Sequence, residues 1–109
     1  MPTTLFHDRD LEFLLYELLH TDRLVERERF ADYSREAFDA VLQTARQIAE
    51  EHFAPHRTRN DQEEPRVENG VVVIVPEVKT TLRAVAEAGF IGGTQDAGRG
   101  GMQLPHVIA

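Results

Sequence analysis

His52 and His56 stand four residues apart, a spacing that on a helix turns two imidazoles to one face and in some metalloenzymes holds zinc. Pro55 falls between them, no Glu follows His52 directly, and no third ligand sits at a sensible spacing. The pair is therefore read as two ordinary polar histidines, and no metal ligand is assigned. His7, His20 and His106 are isolated and are expected to be exposed or singly hydrogen-bonded. Asp61, Glu63 and Glu64 could divide acid and base work only in a pocket that drives their pKa values apart. A solvated loop offers no such pocket, so they are read as surface charge. Gly92, Gly93, Gly98, Gly100 and Gly101 crowd one segment. Neither a G-x-G-x-x-G turn between strand and helix nor Gly-Lys followed by Ser or Thr occurs there. By residue chemistry alone the segment is a flexible connector, and no catalytic or cofactor-binding residue is assigned.

The bulk properties narrow the function classes. A chain of 109 residues, 41% hydrophobic and 28% charged, has the size and composition of one small globular domain. Twelve Lys and Arg against nineteen Asp and Glu leave a net charge of −7, which repels phosphate backbones and argues against nucleic acid as a partner. The longest apolar run, Val71 to Val75, is far short of the roughly 20 residues that cross a bilayer. Without cysteine there is no disulfide, thiolate metal site or cysteine nucleophile. Asp8, Asp10 and Glu12 interrupt the first leucines, so no secretory leader is read and the expected location is the cytoplasm.

The elements that must position these residues are mainly helical. Leu11, Leu14, Leu15, Leu18 and Leu19 recur at helical spacing after Asp8 or Asp10 as a cap, predicting a helix near 10–20. Phe13 and Tyr16 lie off that stripe, so the apolar surface is broad enough to meet two neighbours. Thr21 or Asp22 can cap a short turn through Leu24 and Val25, followed by a solvated charged run from Glu26 to Arg29. Ser34 caps a second helix over 35–54, with Phe38, Val41, Leu42, Ala45, Ile48 and Ala49 on its apolar face, which Pro55 ends at about Phe53 or Ala54. His56 to Glu64 has no periodicity and reads as a loop. Asn69-Gly70 predicts a type I′ hairpin. Pro76 opens a third helix over 76–88, with Val78, Leu82, Val85 and Ala86 as its stripe and Gly89 as its C′ residue. Leu104-Pro105 reads as the start of a further helix that the four residues after Pro105 cannot complete, as if the sequence were cut inside an element. The expected fold is a mainly α domain of three to five helices with a minor β-hairpin.

The stretch from Glu87-Ala88-Gly89-Phe90 through Gly100-Gly101-Met102-Gln103-Leu104-Pro105 resembles the amino-terminal domain of acyl-CoA dehydrogenases. Phe13 to Leu19, Phe38 to Ala54, Glu68-Asn69-Gly70 and Pro76 to Lys79 extend the likeness to the subgroup with an added amino-terminal segment, which includes enzymes similar to methylthiopropionyl-CoA dehydrogenases. The resemblance implies an extension helix and linker over 1–33 and an amino-terminal helical domain over 34–109, incomplete at its carboxy end. It further implies a parent oxidoreductase of fatty acid metabolism that uses FAD to remove an α-proton and a β-hydride from an acyl-CoA thioester. The family's catalytic glutamate and most of its flavin contacts lie in regions that follow this domain. The chain alone is thus expected to be inactive, with no cofactor of its own. Gly100, Gly101 and Met102 would belong to a substrate-channel loop, and Gln103 stands where the family usually carries a further Gly. Leu11, Phe13, Leu14, Leu15, Tyr16, Leu18 and Leu19 would form an association surface for the rest of the dehydrogenase or for a second copy in a homo-oligomer. Acyl-CoA would bind only the complete enzyme. A stand-alone helical module, or a small subunit docking on a larger partner, is the alternative reading.

Overall fold

The computed structural model describes residues 5–109. Helix α1, Asp8–Glu12, continues without a break into a π-helical turn over Phe13–Leu18. In that turn the Leu19 amide donates to the Leu14 carbonyl at 3.0 Å, five residues back instead of four. A wider turn rotates the side chains that follow it away from α-helical spacing. The expected leucine stripe accordingly splits. Leu15 and Tyr16 are buried and Leu11 is half-buried, while Leu14, Leu18 and Leu19 turn outward with Phe13. Tyr16, placed off the stripe by its spacing, is a core residue. Asp8 and Asp10 do not cap the helix. His7 holds the cap position, and the two carboxylates lie in the first turn, where the helix dipole favours them.

Two 3-10 turns, Thr21–Glu26 and Glu28–Phe30, lead to helix α2, Arg35–Ile48. Ser34 caps α2 as expected, its hydroxyl accepting from the Ala37 amide at 3.1 Å. A second π-helical turn, Ala49–Phe53, extends α2. The region read as a loop is instead a 3-10 turn, Ala54–His56, followed by helix α3, Arg57–Gln62. Pro55 breaks the preceding helix yet suits the first turn of a new one. Arg59 then holds α3 with ion pairs to Glu63 at 3.0 Å and to Glu77 at 2.5 Å.

Strands β1, Arg66–Glu68, and β2, Val71–Val73, pair antiparallel with Val67 opposite Val72. Asn69 and Gly70 both have the positive φ of the expected type I′ turn. Helix α4, Glu77–Glu87, begins after Pro76 and stops at Gly89, whose φ of +84° is left-handed. Its inward face differs from the expected stripe: Leu82 and Ala86 are exposed and Thr81 is buried. The Thr81 hydroxyl donates to the His52 carbonyl at 2.8 Å, fastening α4 to the end of α2. After Pro105 the chain makes a turn closed by the Ile108 amide, where the sequence suggests the start of a helix.

Leu15, Tyr16, Phe38, Leu104 and Ile108 form one buried cluster, so residues on both sides of position 33 share a core. The chain spreads over 54 × 36 × 18 Å with a radius of gyration of 17.0 Å. A compact domain of this length has about 13 Å.

The Tyr16 hydroxyl donates to Asp39 Oδ1 at 2.5 Å, and the Arg35 guanidinium lies 4.0 Å from the ring centroid. Burial, and then the Asp39 carboxylate, push the phenol well above its ordinary value. Burial raises the Tyr33 phenol too. Because the folded values lie above the unfolded one, their stabilisation is complete below about pH 10 and is lost as pH rises past it. Thermal melts are therefore expected to fall in Tm above about pH 10, and Tyr16→Phe is expected to make that fall shallower. An equally steep fall in Tyr16→Phe would contradict the assignment.

Candidate functional site

The glycine segment is a built turn and not the flexible connector expected from composition. Phe90–Gly92 and Ala97–Arg99 are 3-10 turns, and the chain between and after them doubles back on itself. The Met102, Gln103 and Leu104 amides donate to the Gly92, Gln95 and Gly93 carbonyls at 3.1, 2.9 and 2.9 Å. Gly101 sits inside this fold-back. A Cβ there would lie 2.3 Å from the Gln95 carbonyl oxygen, a separation real side chains do not tolerate. Gly101→Ala is expected to force the backbone apart and cost about 1–3 kcal/mol, read as a lower urea midpoint. A variant as stable as the parent would show that the fold-back is absent.

Of the three expected channel residues, Gly100 is exposed, with left-handed φ of +85° and open space where a Cβ would point. Met102 is half-buried and packs against the core cluster. Its carbonyl accepts from the Tyr33 hydroxyl. Tyr33 itself stacks on Phe38 with ring centroids 5.3 Å apart.

Gln103 also has a left-handed φ, +55°. This is the backbone that glycine adopts freely and glutamine rarely does. Here the side chain supplies two bonds: Nε2 donates to the Arg29 carbonyl at 2.7 Å and Oε1 accepts from the Ala97 amide at 2.9 Å. Arg29 adds an ion pair to Asp96 at 2.8 Å. Arg29 and Tyr33 carried no signal of this role in the sequence, because their partners are more than sixty residues away.

His52 and His56 line one cleft of about 540 Å³ between the end of α2, α3 and the start of α4. Asp61, Glu64 and Glu77 also line it, and Glu63 is engaged with Arg59. Among the described residues no group of three or more His, Cys, Asp or Glu could hold a metal ion.

The Met102, Gln103 and Leu104 amides are taken up by carbonyls of the same fold-back and the Ala97 amide by the Gln103 side chain, so none of these four is free for a pyrophosphate, and the cleft is lined by three carboxylates, which would repel one. Nor is any described helix long and apolar enough to cross a membrane.

The seven residues of the expected association surface divide. Leu15 and Tyr16 are committed to the chain's own core, Leu11 is half-buried, and Phe13, Leu14, Leu18 and Leu19 remain exposed.

No family model matches the chain, and no solved structure matches it. Over 100 residues, 92% of its length, it is 28% identical to the 3-methylmercaptopropionyl-CoA dehydrogenase of Ruegeria pomeroyi. The chain spans 17% of that protein's length, and the similarity is weak.

Proposed function

We propose that the chain is the amino-terminal portion of an FAD-dependent acyl-CoA dehydrogenase and is inactive by itself. The observation that carries this reading is the similarity to the Ruegeria pomeroyi enzyme, which runs over 100 residues, 92% of the chain. FAD would supply hydride acceptance in the parent enzyme. This chain would contribute the fold-back around Gly100, Gly101 and Met102 to the channel for the acyl-CoA, and its exposed α1 face to the remaining domains.

A chimera in which this chain replaces the matched stretch of the Ruegeria pomeroyi dehydrogenase is expected to retain FAD and to reduce an electron acceptor when given an acyl-CoA. The chain alone, given octanoyl-CoA and the same acceptor, is expected to show no turnover above a denatured control. A chimera that folds and binds FAD yet has no activity would overturn the reading, as would turnover by the chain alone. The exposed face of Phe13, Leu14, Leu18 and Leu19 also suits a small docking subunit. A copurifying larger partner with an active chimera absent would favour that second reading.

A further inference from the structure

We infer that Gln103 is a positioning residue: it locks the glycine fold-back to the segment Arg29–Tyr33, so that the shape of the loop at Gly100–Met102 is set from the amino-terminal part of the chain. Four contacts cross between the two segments. Gln103 donates to the Arg29 carbonyl, the Arg29 guanidinium pairs with Asp96 and donates to the Thr94 carbonyl at 3.5 Å, and Tyr33 donates to the Met102 carbonyl. The Gln103 side chain also reaches the other arm of the fold-back, accepting from the Ala97 amide. It therefore ties both arms of the loop to Arg29 at one point. A glycine at 103 would adopt the same left-handed backbone without strain and make neither side-chain bond. The glutamine accepts an unfavourable backbone and gains the coupling.

The bearing of this clamp on acyl-CoA binding rests on the dehydrogenase reading. The clamp itself does not, and its test uses neither acyl-CoA nor flavin. Amide hydrogen exchange and trypsin cleavage after Arg99 are followed in the parent chain, Gln103→Gly and Gln103→Glu. Losing both bonds is expected to raise loop opening by about tenfold, so Gln103→Gly should speed exchange at Ala97 and cleavage after Arg99 by that factor. Exchange at Tyr33 should quicken with it, while cleavage after Arg66 stays unchanged. Gln103→Glu keeps the acceptor for the Ala97 amide but loses the donor to the Arg29 carbonyl. It should leave Ala97 slow and make Tyr33 fast. The inference is overturned if Gln103→Gly leaves these rates as they are, or speeds every amide by one common factor. Slow exchange at Tyr33 in Gln103→Glu would reject the link through Arg29.

Discussion

Phe38→Ala is expected to abolish cooperative unfolding, leaving a chain with helical circular dichroism weaker than the parent's and no urea transition. Phe38 is 0% exposed and is the largest fully buried side chain. It stacks on Tyr33 and lies in one cluster with Leu15, Tyr16, Leu104 and Ile108. Truncating a buried Phe to Ala costs about 3–5 kcal/mol, against a total stability of about 5–15 kcal/mol for a typical domain. This chain buries few large apolar side chains and belongs at the lower end of that range. The damage also spreads, because Tyr33 loses its stacking partner and with it the support for its bond to Met102. Phe38→Leu keeps most of the volume and should cost less than about 1.5 kcal/mol. Leu82→Ala, at an exposed position on α4, should stay within about 0.5 kcal/mol of the parent. A parent-like urea midpoint for Phe38→Ala would mean that the cluster does not hold the fold.

The elements whose signals are local were legible. Ser34 capped α2, Asn69-Gly70 made the hairpin and Gly89 ended α4, since each needs only the chemistry of its own neighbourhood. Helical spacing failed where the backbone departed from 3.6 residues per turn. The π turn at Phe13–Leu18 exchanged Tyr16 for Leu14 and Leu18 in the core, and nothing in the residue types announces a five-residue hydrogen bond. Helix α3 was missed because it is polar on every side, with no buried residue, and is held by Arg59 to Glu77, eighteen positions away. At the glycine segment, composition suggested slack. The order there comes from backbone bonds and from Arg29, Tyr33 and Gln103, which only the folded chain brings together. The departure at Gln103 was visible, but its meaning was not, because a positive φ at a glutamine has no signature in sequence.

Purified by itself, the chain is expected to self-associate, with a second copy covering the face that Phe13, Leu14, Leu18 and Leu19 leave open. They are 46%, 46%, 58% and 57% exposed in a chain whose accessible surface is 8156 Å². A compact monomer of this mass exposes about 6,100 Å². The excess, about 2,000 Å², is more than the roughly 800 Å² that one partner contributes to a standard stable interface. Completing the burial of four half-covered side chains is worth about 1 kcal/mol each, or about 8 kcal/mol across a two-fold pair. Association itself costs about 4 kcal/mol or more in lost freedom, so about 4 kcal/mol is left and the dimer should be weak, with Kd of about 1 mM and dimer building up over about 0.1–1 mM. In the proposed parent enzyme the remaining domains would take the place of the second copy. Sedimentation of the parent chain across that concentration range should show mass rising with concentration, and the double variant Leu14→Lys, Leu18→Lys should remain monomeric with unchanged helical content. Both side chains point away from the core, so the variant tests the face without emptying the fold. A parent chain that stays monomeric at about 1 mM would remove the face as an association surface.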